Sequence, residues 1–440
     1  MRFIADLQLH SKYSRATSKD MVPENMALWA QIKGIQVLGT GDFTHTAWMK
    51  ELKEKLEPAA QGLYRLKAKY APKPESGIAF DRDRMRFLVT GEISNIYSKN
   101  GKVRRVHNLI WLPSLEVAEA INTKLSWIGN LKSDGRPIIG LDSEELAKIV
   151  LGVSQDAMVI PAHAWTPWFS VFGSMSGFDS LDECYGAFSK YIYAVETGLS
   201  SSPSMNWRLS QLDRVALTSN SDSHSLQRLG REANVLEGEV VDYQKIMDAF
   251  KNASPNKLAD GSYDRTASKL KETVEFYPEE GKYHYDGHRL CKVRLSPQES
   301  KEHKNLCPKC GKSLTIGVMN RVEAIADRPL GGKPEKTVPY RSLVSLDEVI
   351  AEALGQGKAT KKVSAEYFSL VGQLGSEFSV LLDASRDDIE RAASADIAEG
   401  VMRVREGRLQ IAPGYDGEYG TIKIFEEAER GTFSKQASLF

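Results

Sequence analysis

Two short apolar segments that end in alternating polar residues constrain this chain more than any other feature. Near the start the order is Asp6-Leu7-Gln8-Leu9-His10-Ser11, and far downstream it is Ser219-Asn220-Ser221-Asp222-Ser223-His224. In an extended chain successive side chains point to opposite faces, so residues two apart share one. Gln8 and His10 are therefore expected to point together, and so are Asp222 and His224. Polar groups from strand ends so distant in sequence meet where strand ends gather, as on the rim of a barrel.

The same pattern recurs. Apolar strand candidates are Arg2–Leu7, Val37–Thr40, Phe87–Thr90, His107–Trp111, Met158–Pro161, Ala194–Glu196 and Val215–Thr218. Helical patterns such as Pro23–Lys33 and Ser143–Val150 lie between them. Strand and helix in alternation predict an α/β fold with a parallel sheet, here closed. Chemistry-bearing residues follow the strands: Gly41-Asp42, Gly91-Glu92, Pro161-Ala162-His163 and Glu196, with His107 at the head of another. Neutral imidazoles mixed with carboxylates suit Zn²⁺ or Mn²⁺ and favour a multinuclear site. The expected ligand set is Gln8, His10, Asp42, Glu92, His107, His163, Asp222 and His224. Two or three cations so placed can activate a water and hold the oxygens of an in-line phosphoryl displacement.

The 440 residues exceed one ordinary core, which predicts two or three domains. There is no basic-apolar-small leader and no run long enough to span a bilayer, so a cytoplasmic protein of the nucleoid is expected. Residues 1–250 would form the metal-dependent domain, with a linker over Ala253–Asp264. A small cysteine module would cover 275–320, and an α+β domain 321–428, with helices over Leu343–Leu354 and Val363–Leu374. Strands over Met402–Ala412 and Tyr419–Phe425 would flank a Pro-Gly turn, and 430–440 would be a free tail.

In the module, His288-Arg-Leu-Cys291 is separated by fifteen residues from Cys307-Pro-Lys-Cys310. Paired ligands across such a loop are zinc-ribbon spacing, and a closed four-ligand site contributes folding free energy. His284 and His303 are rival fourth ligands to His288, and Cys184 is expected to be a buried free thiol. Gly281–Arg321 carries nine Lys/Arg against three Asp/Glu, local positive charge that a phosphate backbone would meet.

Two further stretches suit nucleic acid. Lys99, Lys102, Arg104 and Arg105 read as a basic hairpin tip beside Glu92 and His107. Trp165, Trp168, Phe169 and Phe172 lie in a Gly/Ser/Pro-rich loop directly after His163, where they could receive an extruded base.

The motifs Asp6-Leu-Gln-Leu-His-Ser-x-Tyr-Ser14, Gly39-Thr-Gly-Asp42, Gly91-Glu92, Pro161-Ala-His163 and Ser221-Asp-Ser-His224, in this order, resemble the polymerase and histidinol phosphatase (PHP) superfamily. Within it the chain resembles the endonuclease Q family, through Asn108–Pro113, Ala194–Pro203, the cysteine module and Glu399–Gly407. The resemblance implies a PHP-type distorted (β/α)7 barrel with an inserted zinc ribbon and a C-terminal α+β domain. It implies a metal-dependent DNA repair endonuclease that nicks duplex DNA 5′ of deaminated bases (uracil, hypoxanthine, xanthine) and of abasic sites. By position, His10, Glu92, His107, His163, Asp222 and His224 would bind the active-site Zn, Mn or Mg ions, and Asp222 would be the most essential residue. Two departures stand out: Gln8 and Phe43 occupy positions where the superfamily pattern has histidine. An amide is a weak zinc ligand, so two metals are expected rather than three, with His45 left open as a substitute. The last residues, with Gln436, Leu439 and Phe440, resemble the pentapeptide that binds the bacterial sliding clamp. The alternatives are a small-molecule phosphoesterase and a catalytically inactive DNA-binding accessory protein.

Overall fold

The computed structural model describes residues 1–262, 268–426 and 429. All seven expected strands are present, with ends shifted by a residue or two except in one pair. Arg86–Lys99 and Lys102–Leu112 run well past the expected segments and form one long antiparallel hairpin. The sheet is mixed. Arg2–Asp6, Val37–Gly39 and Arg86–Lys99 run parallel, and so do Ala194–Glu196 and Ala216–Thr218. Lys102–Leu112 is antiparallel to both of its neighbours, Arg86–Lys99 and Met158–Pro161. Ala233–Glu237 is antiparallel to the first strand. The expected parallel sheet is therefore corrected to a mixed one: the two-residue turn at Asn100-Gly101, both with positive φ, folds the third strand straight back on itself.

Strand alternation sorts the apolar residues into two layers. Phe3, Ala5, Leu7, Leu88, Leu109, Trp111, Met158, Ile160, Ala194 and Ala216 share one core cluster. Their chain neighbours Ile4, Phe87, Val89, Ile110, Leu112 and Val159 belong to the other, beneath the outer helices. The helix Tyr243–Lys251 closes the inner layer from one end with Tyr243, Ile246, Met247 and Phe250. Tyr243 Oη donates to the carbonyls of Trp111 at 3.1 Å and Asp156 at 2.7 Å, so its one polar atom is satisfied inside that floor. The opposite end carries the polar residues.

Where backbone ladders stop, asparagines continue them. Asn234 Nδ2 donates to the Ser219 carbonyl at 2.7 Å, and the Leu7 amide donates to Asn220 Oδ1 at 2.9 Å. These bonds tie the Ser219–His224 segment to the first strand, and the Leu9↔Ser223 bridge sets their register.

The cysteine module follows as the hairpin Asp286–His288 with Val293–Leu295. Beyond it come the helices Leu346–Ala353, Lys361–Leu374, Arg386–Ala392 and Ala395–Glu406. Two expectations fail here. Pro255–Asp260, read as linker, is a short helix, because Pro255 fits a first turn and Gly261 takes the left-handed position after it. Met402–Glu406, read as strand, completes a helix capped by Ser394 and ended by Gly407 at φ 66°. The strands are only Gln410–Ala412 and Thr421–Lys423. Among the described residues no helix is long and apolar enough to cross a membrane. Gln436, Leu439 and Phe440 lie outside the described residues.

Candidate metal centre

Glu92 sits in the long hairpin with its side chain 1 % exposed, and its two oxygens face different partners. Oε2 lies 3.1 Å from His10 Nε2, whereas Oε1 lies 2.6 Å from His107 Nδ1 and 3.0 Å from His163 Nε2. Asp222 Oδ1 is also 3.1 Å from His10 Nε2. His224 Nδ1 is held by the Asp222 carbonyl at 2.9 Å, which leaves Nε2 as its free donor atom. Two triads result, His10–Asp222–His224 and Glu92–His107–His163, each with its ligand atoms within 4.8 Å of one another. A carboxylate that turns one oxygen to each of two donor sets has the form of a bridge between two cations.

Two observations fit a cation here. His10 Nε2 and Asp222 Oδ1 are fully buried and make no hydrogen bond, a costly arrangement for polar atoms with no further partner. The donors are imidazole and carboxylate throughout, the set that Zn²⁺ or Mn²⁺ accepts.

Electrostatics agree. Burial alone would push the Glu92 carboxyl up, but Arg136, His107 and His10 around it hold it well below the usual carboxylate range. Burial acts on Asp222 likewise, and His10 outweighs it, so that carboxylate stays charged. Burial pushes His107 down to about 4 despite Glu92. Burial depresses His163 too, yet the same carboxylate lifts it above the ordinary histidine value. The two rings stand 3.1 Å apart, nitrogen to nitrogen, so both cannot carry a proton there, and the neutral state of His107 is the firmer of the two.

Asp42 was expected among the ligands; the structure puts it one step behind them. His10 Nδ1 lies 3.0 Å from Asp42 Oδ1, while Ser11 and Ser14 hydroxyls and the Ser11 amide donate to Oδ2. Its oxygens are fully engaged, and its role is to fix the His10 ring so that Nε2 points inward. Asp42→Asn is accordingly expected to weaken cation binding by about 10- to 100-fold while the chain stays folded. Calorimetric titration with Mn²⁺ would measure this, and an unchanged affinity would remove Asp42 from that role.

Gln8 also departs from expectation. It faces Glu196, and with its amide nitrogen turned that way it donates to Oε1 at 2.6 Å and to Oε2. Asn220 Nδ2 and the His163 amide, each at 2.8 Å, complete the ring of donors around that carboxyl, which burial pushes up to about 8. Gln8 therefore anchors the support beneath His163. His45 caps the helix Thr46–Lys55 and stacks on Tyr13, outside both triads.

The backbone is strained where it serves this centre. Asp42, His163 and Asp222 have φ of 50°, 30° and 46°, a region that residues with a Cβ rarely adopt. Gly198, at φ +61°, leaves room for His163: a Cβ there would lie 2.5 Å from the His163 Cβ.

Sequence reading missed Arg136. It rises from the loop after Leu125, and its Nη1 lies 3.1 Å from Glu92 Oε2. No periodic pattern marks that loop.

In the cysteine module His288, Cys291, Cys307 and Cys310 bring their ligand atoms within 4.8 Å of one another, a group that could hold a metal. His288 Nδ1 is 3.4 Å from Cys310 Sγ. The rivals His284 and His303 lie outside the group: His284 is buried and stacks on Tyr285, and His303 ends a helix. Cys184 is a fully buried free thiol, as expected.

The aromatic loop divides in two. Trp165 and Phe172, expected to touch nucleic acid, are core residues 1 % and 0 % exposed, and Trp165 Nε1 donates to Asn206 Oδ1 at 2.8 Å. Glycines in this loop let the chain turn tightly enough to bury them. Only Trp168 and Phe169 remain on the outside. Phe169 tilts over His107 at 4.9 Å, and Trp168 packs edge-on to Tyr283 of the cysteine module. Arg321 holds the loop from behind through the Phe172 and Phe178 carbonyls at 2.9 Å. In the basic hairpin, Lys99 pairs with Asp142 and Glu144, and Arg104 lies over the Phe178 ring and donates to the Gly177 carbonyl. Lys102 points to solvent, and Arg105 lies 5.8 Å from the Phe169 ring centre.

Comparison with known proteins places this arrangement in context. Residues 345–408 match the family model of the MJ0043 C-terminal domain. The uncharacterised protein MJ0043 of Methanocaldococcus jannaschii is 32 % identical over 269 residues, 60 % of this chain and 31 % of that protein. The chain thus spans about a third of MJ0043. The uncharacterised Bacillus subtilis protein YqxK is 29 % identical over 403 residues, 89 % of each. Among solved structures, the lesion-specific endonuclease PfuEndoQ of Pyrococcus furiosus is 30 % identical, with a TM-score of 0.81 over 100 % of this chain and 99 % of that one. A complex of endonuclease Q with a 27-mer duplex carrying an abasic lesion at the active site is also 30 % identical, with a TM-score of 0.80 over 99 % and 100 %.

Proposed function

Because the chain belongs to the endonuclease Q family, we propose that it is a DNA repair endonuclease that nicks duplex DNA on the 5′ side of deaminated bases and abasic sites. The observation that carries the reading is the pair of triads, with Glu92 of one turning its second oxygen to His10 of the other. On this reading residues 1–250 are a PHP-type barrel, 275–320 a zinc ribbon and 321–428 the C-terminal α+β domain.

His10, Asp222 and His224 would hold one cation, His107 and His163 the other, with Glu92 between them. Such cations supply an activated water and stabilise the attacking and leaving oxygens. The chain's own residues do the rest. Asp42 fixes His10, and the Glu196 cluster fixes the backbone of His163. Arg136, the guanidinium that reaches Glu92, would meet a phosphate oxygen at the centre. Trp168 and Phe169 border the centre as the surface on which an extruded lesion would settle, since flipping costs least where pairing is already weak. Lys102 and Arg105 supply positive charge on one flank, and the cysteine module, with structural zinc on His288, Cys291, Cys307 and Cys310, supplies it on the other.

The test is to incubate the chain and Mn²⁺ or Mg²⁺ with duplexes carrying one uracil, hypoxanthine or abasic site, beside undamaged duplex and a phosphomonoester. Nicking confined to damaged duplex is expected. Phosphate release alone would make the chain a small-molecule phosphoesterase, and binding without product would make it an accessory protein.

A nucleoid enzyme that engages the bacterial sliding clamp through Gln436, Leu439 and Phe440 is part of the same reading. Deleting residues 436–440 is expected to leave nicking of naked duplex within about twofold and to abolish co-elution with the clamp. Retained co-elution would remove the tail from the account.

A further inference from the structure

Among the described residues the most exposed large apolar side chain is Trp127, at 85 %. It follows the helix Leu115–Leu125, at the start of a loop that runs to Arg136. Its neighbour Ile128 is 43 % exposed, so the two present adjoining apolar surface to solvent. The loop is fastened to the metal centre at its far end. Thr44 Oγ1 donates to the Gly135 carbonyl at 3.1 Å, the Gly135 amide donates to the Tyr13 carbonyl at 3.2 Å, and Arg136 reaches Glu92. Gly135 has no room for a side chain, because a Cβ there would overlap the Asp42 carboxylate and the Ser14 hydroxyl. Trp127 thus stands on a loop whose position is set by the supports of His10.

Ser126 and Gly129, on either side of Trp127 in the chain, line a groove of about 830 Å³ together with Thr44, Lys50 and Lys132, and the indole stands outside that lining. Lys53 in its wall is neutralised by Glu119 at 2.6 Å. Lys50 and Lys132 are exposed and form no ion pair among the described residues. A groove with free cations next to an unpartnered aromatic ring is how proteins hold single-stranded nucleic acid: the cations track the backbone and the ring stacks on a base. An anionic protein segment would also match the lysines, and the experiment below separates it from a nucleotide.

We propose that Trp127, Lys50 and Lys132 form a nucleotide subsite, in which an unpaired nucleotide flanking the lesion stacks on Trp127 while the lysines hold its phosphates. The subsite rests on the repair-endonuclease reading and adds a grip outside the metal centre. Stacking on one base is worth about 1–3 kcal/mol, roughly five- to 150-fold in affinity.

The experiment compares the full chain with Trp127→Ala, Trp127→Phe and the double reversal Lys50→Glu/Lys132→Glu. Binding is read by fluorescence anisotropy in Ca²⁺ and nicking in Mn²⁺, on an abasic duplex and on the abasic single strand. Trp127→Ala is expected to lose at least fivefold in binding and in kcat/KM on both substrates, and Trp127→Phe to stay within about threefold. The lysine reversal is expected to flatten the salt dependence of binding by about two in slope. Wild-type behaviour of Trp127→Ala overturns the proposal, as it would if the ring served a protein partner. A loss confined to the duplex also overturns it, since that is the signature of a wedge and not of a stacking platform. A wild-type chain that neither binds nor nicks damaged DNA would instead refute the reading beneath, and the subsite with it.

Discussion

Glu92→Gln is expected to lower kcat/KM on an abasic duplex by at least 10³-fold, about 4 kcal/mol of transition-state stabilisation, and to strip the centre of both cations. Asp222→Asn is expected to lose activity as severely but to release only one. The difference follows from the geometry. Glu92 turns one oxygen to each triad, whereas Asp222 belongs to the His10–His224 set alone. Both substitutions keep side-chain volume, so the fold should survive and circular dichroism should confirm it. Metal content by mass spectrometry separates the two variants. A Glu92→Gln protein that retains both cations at wild-type stoichiometry would contradict the shared-carboxylate arrangement.

Residue types were legible in the sequence because chemistry and strand periodicity coincide here. His10, Glu92, His107, His163, Asp222 and His224 all follow or open apolar strands, and the structure brings those six together. What could not be read is order within the cluster. Asp42 and Asp222 are both strand-end aspartates, and nothing local tells which joins a candidate ligand group and which meets the far nitrogen of His10. That depends on Ser11 and Ser14 closing over Asp42 from another segment. Gln8 shares a strand face with His10, as alternation requires, yet Glu196 captures its amide. Arg136 lies in an aperiodic loop and left no pattern to read. Trp165 and Phe172 misled because a Gly/Ser-rich loop can fold inward as readily as outward. The hairpin turn at Asn100-Gly101 was visible, but a basic tip was read where the strand reversal mattered more. In the C-terminal part, Met402–Glu406 has strand-like composition, and the cap at Ser394 and the stop at Gly407 decided for helix.

The second large effect concerns the cysteine module. Its core is only Val293, Cys307 and Leu314, with Cys291 and Leu295 packed against them. Three buried apolar side chains cannot hold a segment of this length, so a bound ion is expected to supply most of its folding free energy. Cys307→Ser is expected to lose one zinc per chain, to open the segment between Gly281 and Gly317 to protease, and to weaken binding of duplex DNA at least tenfold. The cations of the catalytic centre should remain, because Glu92 and its histidines are held by strands outside the module. Damage should still reach the aromatic loop, since Trp168 packs on Tyr283. In the intact chain, Ellman's reagent should find no reactive thiol in the module, and strong chelation should release three. Full protease resistance and full DNA affinity in Cys307→Ser would mean that the module stands without metal.

Crystals of the full chain grown with Mn²⁺ and measured at the manganese edge test the central claim most directly. Two anomalous peaks are expected, about 3.5–4 Å apart, one between His10, Asp222 and His224 and one between His107 and His163, with a Glu92 oxygen on each. A single peak, or peaks away from Glu92, would contradict the two-cation centre on which the proposed cleavage chemistry depends.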